Sequence, residues 1–320
     1  MSHDRALRLY RRRIAACRTP AQVNRVHVAI ENYMTPAELR YFSAALATDP
    51  PGSPSREWIA RLAIGMPANV VRPVEFERKS VSNGATHYAA DVSSSDRKTL
   101  IMGFTGIAHR LMMPTPWVLD CLNPALYDVV LLRDFSRVAY ASGVRGLGDD
   151  FHTSLSKLRM QIDPGAYRNT IAFGTSLGGI PAILASILLR LGRAVAIGPQ
   201  AFNRITGLLR RRGLADEPYV LLAMRPQPFP EVLLVCAAEH DEDVAAATSL
   251  QQQVPARVVR VRNCSAHVLL AWHHAQRTLA PFLAKVFGQS LEDRSLTTTT
   301  AAWVVDSSNA TSTRPTPAGA

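Results

Sequence analysis

Up to about residue 67 the apolar positions recur at helical spacing, and from about residue 69 short apolar runs alternate with helical stretches. In the first part, Thr19-Pro20-Ala21-Gln22 and Thr35-Pro36-Ala37-Glu38 each match a capping box with proline at the first helical position. Apolar-periodic runs follow, Val23 to Ile30 and Leu39 to Leu46. The linker Asp49-Pro50-Pro51-Gly52-Ser53-Pro54 then precedes one more helix around Trp58. Residues 1–67 therefore read as a helical N-terminal extension.

Residues 69–288 have the texture of an α/β domain. Val70 to Val81 and Ala85 to Val92, separated by Ser82-Asn83-Gly84, predict a β-hairpin. Thr99 to Gly103 and Asp128 to Leu132 are continuous apolar runs, as buried parallel strands require. A helix with Phe151, Leu155, Leu158 and Ile162 on one face comes next. Three further strands are expected at Arg193 to Ile197, Val232 to Ala237 and Arg257 to Val261, with a final helix from about Val268 to Phe287. This alternation implies a mostly parallel central sheet covered by helices on both faces. The tail, 289–320, is rich in Thr, Ser, Ala and Pro and is expected to be disordered and low in complexity.

Composition narrows the class. With 320 residues and 47% hydrophobic content, the chain can build a substantial core. The net charge of +11 is carried by arginine, since only Lys79, Lys98, Lys157 and Lys285 are lysines. Such a bias is common in base-composition-skewed genomes and does not argue for nucleic-acid binding. Arg5, Arg8, Arg11, Arg12, Arg13 and Arg18 face only Asp4, so the basic N-terminal helices could dock a protein partner. Cys17, Cys121, Cys236 and Cys264 show no metal-binding or disulfide spacing, which points to a reducing compartment with no structural disulfide or zinc. No run is long and apolar enough to span a membrane, and the N-terminus lacks a signal-peptide core; a cytoplasmic location is expected.

The chemistry concentrates at Thr170-Ile171-Ala172-Phe173-Gly174-Thr175-Ser176-Leu177-Gly178-Gly179, a β-run, a Gly-x-Ser-x-Gly and then an apolar helix from Ile180 to Leu191. A serine on a sharp strand-to-helix turn needs small neighbours, and the helix behind it favours developing negative charge. Ser176 is thus a candidate nucleophile. A hydroxyl needs a base, and the base an orienting acid. The strand ending at Ala237 runs into Ala238-Glu239-His240-Asp241-Glu242-Asp243, and the strand ending near Arg262 runs into Asn263-Cys264-Ser265-Ala266-His267. Ser176, Asp241 and His267 then each lie just beyond a strand.

On these residues the chain resembles the α/β-hydrolase superfamily, whose triad runs serine, acid, histidine. The resemblance spans roughly residues 69–288 and implies an α/β-hydrolase fold. Met102-Gly103-Phe104-Thr105-Gly106 looks like the family's oxyanion turn, with Met102 where histidine is usual. Tyr127 to Asp134 resembles its fourth strand. The resemblance implies Ser176 as nucleophile, His267 as base and Asp241 as acid, with Asp243 and Glu239 on the same loop as competitors. It also implies an oxyanion hole from the N–H groups of Leu177 and Phe104. His109 follows the oxyanion turn and could line the pocket, as could Arg133, Asp134, Arg137 and Tyr140 beyond the fourth strand. The segment from Gly198 to Pro230, with a helix around Ile205 to Arg212, leaves room for a modest lid.

The function expected is a serine hydrolase that cleaves a small-molecule carboxylic ester or thioester through an acyl-enzyme, with no cofactor and no metal. An acyltransferase using the same three residues keeps the fold and changes the acceptor. A non-catalytic hydrolase-like binding module has no physical need for all three.

Overall fold

The computed structural model describes residues 3–66, 73–214 and 229–288, together with the backbone of 303–306. Four helices come first: α1 (His3–Ala15), α2 (Pro20–Glu31), α3 (Pro36–Leu46) and α4 (Pro54–Ile64). Both expected capping boxes form. Thr19 accepts from the N–H of Gln22, Thr35 accepts from that of Glu38, and each partner side chain returns to the cap backbone. The four helices share a small core of Tyr10, Leu39, Phe42, Leu46, Trp58 and Leu62, among others. Within it His27 stacks on Trp58 at 4.4 Å and 6°, and its Nε2 meets the Tyr10 hydroxyl at 3.1 Å.

The rest of the described chain is a sheet in the order β1-β2-β4-β3-β5-β6-β7-β8-β9. The hairpin β1 (Glu77–Ser80) and β2 (Ala85–Ala89) is shorter than expected, and residues 70–72 of the predicted first arm lie outside the described residues. Strands β3 (Thr99–Phe104), β4 (Tyr127–Leu132), β5 (Asn169–Thr175), β6 (Arg193–Ile197), β7 (Glu231–Ala237) and β8 (Arg257–Val261) are parallel. Side chains alternate across this sheet: Leu100, Met102 and Phe104 enter one core, Ile101 the other. The first core is closed by α6 (Phe151–Gln161), α7 (Gly179–Leu188), α8 (Phe202–Arg211) and α9 (Asp241–Gln253). The second is closed by α5 (Thr115–Asp120), α10 (Leu269–Ala275) and α11 (Leu279–Phe287). Burying each such Leu, Ile, Val or Phe contributes about 1.5–3 kcal/mol, which holds both helical layers to the sheet.

Two expectations change. The single C-terminal helix is broken: Arg277 takes a left-handed φ of 56°, and Thr278 turns its N–H and hydroxyl onto the carbonyl of His273. Pro281, lacking an N–H, fits only the first turn of a new helix, so α11 restarts at Leu279. In the tail expected to be disordered, β9 (Trp303–Asp306) pairs antiparallel with β8; the remainder of 289–320 lies outside the described residues.

The N-terminal helices are fastened to the sheet by buried polar contacts. Arg133, fully buried just past β4, donates to Thr86 Oγ1 at 2.9 Å and to the Asn32 carbonyl, and its guanidinium lies 3.9 Å from the Tyr33 ring centroid. Asn32 Nδ2 donates to the Ala108 carbonyl at 3.0 Å, Thr115 Oγ1 to the Asn32 carbonyl at 3.0 Å, and Arg110 pairs with Glu31 at 3.0 Å. A buried hydrogen bond to a charged group contributes about 1.5–3 kcal/mol, and losing one partner costs more because the other stays desolvated.

The turn after β5 packs backbone directly against backbone. A Cβ on Gly174 would stand 2.1 Å from the Gly178 carbonyl oxygen, and one on Gly178 would stand 2.1 Å from that of Phe104. Neither obstacle is a flexible side chain, so only glycine fits. Ser176 between them is held at φ 51°, a left-handed conformation costly for a residue with a Cβ.

Two stability predictions follow from these contacts. Gly178→Ala should lower the unfolding free energy by about 1–3 kcal/mol, read from a urea midpoint, by forcing β3 and α7 apart. Burial, helped by Arg61, lowers the pKa of His27 to about 4, and burial lowers that of His273 to about 4. Both are neutral when folded, so below pH 6.5 the unfolded chain takes up protons the fold refuses. The stability is complete above pH 6.5 and drains away as pH falls towards 4, by up to about 3 kcal/mol per histidine. Denaturation at pH 7 and pH 4.5 measures this, and His27→Gln should make the slope shallower.

Candidate functional site

Three strand ends converge on one side chain at the C-terminal edge of the sheet. Ser176 leaves β5 and enters a one-turn 3-10 segment that leads into α7. His267 sits in the loop between β8 and α10, its carbonyl accepting from the N–H of Leu269 at 2.9 Å. Its Nε2 is 3.0 Å from Ser176 Oγ, and its Nδ1 is 2.7 Å from Asp243 Oδ1. In the neutral tautomer that suits both contacts, Nδ1–H donates to the carboxylate and Nε2 accepts from the hydroxyl.

The carboxylate is Asp243, not Asp241. Asp241 opens α9 and is exposed, whereas Asp243 in the same first turn is buried. Helix residues two apart point about 200° around the axis, so only one of the pair can face His267. Glu239 is occupied elsewhere, its Oε1 accepting from the N–H of Asn263 at 2.9 Å and tying the β7 loop to the β8 loop. The helix N-terminus also favours the charge on Asp243. His240 caps that helix: its Nδ1 accepts the N–H of Asp243 at 3.2 Å and stands 3.3 Å from the carboxylate oxygen that His267 uses.

Phe104 does not reach the site. It is still within β3, in register with Leu132 and Gly174, with its ring fully buried edge-on to Tyr140. The chain leaves the ladder only afterwards: Thr105 N–H goes to the Leu132 carbonyl and Gly106 N–H to that of Arg110. The next N–H, that of Ile107, meets no backbone carbonyl of the described residues, and Ile107 lines the cleft beside Ser176 and Leu177. Gly106 keeps this loop close, since a Cβ there would be 3.3 Å from the Cβ of Ser176.

The other residues named from sequence divide cleanly. Arg137 lines the cleft. Asp134 is buried and accepts four backbone N–H groups, from Ser136, Arg137, Val138 and Tyr140, shaping the loop that carries Arg137. Tyr140 donates to the Leu132 carbonyl at 2.6 Å from within the core, and Arg133 serves the N-terminal helices. His109, held below the usual imidazole range by burial and then by Arg137, packs on Phe135 outside the cleft lining. Gln200 was missed: it follows β6 and directs its Nε2 to Ser176 Oγ at 3.4 Å. Its signal was position alone, just beyond a parallel strand. Of the lid segment, α8 forms one wall, while residues 215–228 lie outside the described residues. Among the described residues no group of three His, Cys, Asp or Glu side chains converges to hold a metal, and no helix is long and apolar enough to cross a membrane.

No protein-family model matches the chain, and no curated protein sequence matches it. Solved structures do. The fluorophosphonate-binding serine hydrolase F of Staphylococcus aureus is 15% identical with a TM-score of 0.45, over 66% of this chain and 99% of that one. An esterase of the bacterial hormone-sensitive lipase family is 15% identical with a TM-score of 0.45, over 89% of this chain and 98% of its own. The capsule O-acetyltransferase of Neisseria meningitidis serogroup A is 13% identical with a TM-score of 0.42, over 68% of this chain and 99% of its own. The order and directions of the strands, with the serine at the end of the fifth, are those of the α/β-hydrolase fold.

Proposed function

We propose that the protein is a serine hydrolase that cleaves a carboxylic ester or thioester through an acyl-enzyme on Ser176. The observation that carries this reading is the unbroken hydrogen-bond chain from Ser176 Oγ through His267 to Asp243, at 3.0 and 2.7 Å. His267 Nε2 takes the hydroxyl proton as Ser176 Oγ attacks the carbonyl carbon. Asp243 fixes the imidazole tautomer and stabilises the imidazolium that forms. The oxyanion is held by the N–H groups of Leu177 and Ile107. Leu177 stands in the first turn after the serine, where N–H groups have no intrahelical acceptor. Each such donor contributes about 2.7–4 kcal/mol to the transition state.

Collapse of the tetrahedral centre breaks the bond to the leaving group, which collects its proton from His267. Water then loses a proton to His267 Nε2, attacks the acyl carbon and releases the carboxylic acid and free Ser176. The His267 side chain is 31% exposed, so water reaches the base directly. That favours hydrolysis over transfer to another acceptor, which requires water to be kept out.

A fluorophosphonate probe should label the wild-type protein and leave Ser176→Ala unlabelled. Asp243→Asn should lower kcat on a reactive aryl ester by about 10⁴-fold, because it stabilises the wrong tautomer of His267. Asp241→Asn, on the exposed face of α9, should change kcat by less than about twofold. The opposite ranking of the two aspartates would remove Asp243 from the mechanism.

A further inference from the structure

The cleft holding Ser176, about 1080 Å³, runs between α8 and α9. From α8 it takes Arg204, Ile205, Leu208 and Arg211, a spacing that sets one face of the helix along the groove, and Arg212 follows at the C-cap. From α9 it takes Glu242, Ala245, Ala246 and Ser249. The groove is therefore graded. Gln200 beside Ser176 precedes α8, so the helix carries the lining away from the serine, past Ile205 and Leu208, to Arg211 and Arg212 at its C-terminal end.

The charges along it do not cancel. Four arginines line the cleft against Glu242 and Asp243. Asp243 is engaged by His267, and Glu242 stands 3.5 Å from Arg204. Arg137, Arg211 and Arg212 form no ion pair among the described residues. Arg211 lies back along the helix, its Nη1 3.5 Å from where a Cβ on Gly207 would be.

We infer that this cleft takes an ester or thioester bearing an anionic group, a carboxylate or phosphate, held by Arg211 and Arg212. The inference rests on the hydrolase reading and adds the substrate's charge. The anion can belong to the acyl chain or to the leaving group; the chemistry of recognition is the same.

Two matched pairs of substrates separate these sources. One pair is 4-nitrophenyl octanoate and the 4-nitrophenyl half ester of octanedioic acid, which place the anion on the acyl side. The other is acetyl-coenzyme A and the acetyl thioester of N-acetylcysteamine, which place it on the leaving group. In one pair the anionic member should have at least a tenfold higher kcat/KM at low ionic strength, and this ratio should shrink at about 0.5 M salt. In Arg211→Ala/Arg212→Ala the ratio should fall to about one, while Arg211→Lys/Arg212→Lys keeps part of it. A ratio near one in both pairs, or one that survives the double alanine variant, overturns the inference. Absence of both turnover and fluorophosphonate labelling would instead mean that the hydrolase reading has failed. Charge recognition is then read by calorimetry on Ser176→Ala, comparing the monoamide and the diamide of octanedioic acid. Tighter binding of the monoamide supports the anion site, and equal binding overturns it.

Discussion

The structure depends on how closely the turn after β5 packs against the end of β3. Gly178 lies against the Phe104 carbonyl and Gly174 against the Gly178 carbonyl, with no room for a side chain at either place. That closeness leaves Ser176 no ordinary backbone conformation, so the residue sits at φ 51° with its hydroxyl at the edge of the sheet. It also brings Gly106 beside the serine and sets the loop after β3 alongside it. The helix behind the serine, the N–H groups around it and the reach of His267 all follow from one pair of backbone approaches.

The N-terminal helices bear on the same loop from the other side. The end of α2 is joined to it by Asn32 on Ala108 and by Glu31 on Arg110, one and three residues beyond Ile107. Arg133 completes the junction, its charge met by a carbonyl, two hydroxyls and the face of Tyr33. Removing any one of these groups strands a desolvated partner, so the junction resists piecemeal loosening. The first four helices are thus part of what fixes the loop beside the serine.

Much of this was legible in the sequence because it depends on local rules. Capping boxes at Thr19 and Thr35, strand periodicity from Thr99 onward and the glycines flanking Ser176 are each set by residues close in the chain. What escaped depends on orientation in three dimensions. Asp241, Asp243 and Glu239 are equivalent in a string of letters, and only the start of α9 decides which of them turns inward. That β3 stays in register with its neighbours through Phe104 is likewise set by pairing across the sheet and carries no mark in the sequence. Gln200 offers no motif at all, and its place is set by how β6 delivers the chain past Ser176.

The two margins of the sheet are finished differently. On β1 the outer strand is polar, with Glu77, Lys79 and Ser80 exposed, and such a margin discourages pairing with another molecule. On the far side, β8 carries buried Val258, Val259 and Val261, and its outer backbone is paired by β9. A chain ending after α11 would keep every residue of the serine site yet leave that backbone open. Its weakness would lie in self-association through an unguarded strand rather than in chemistry.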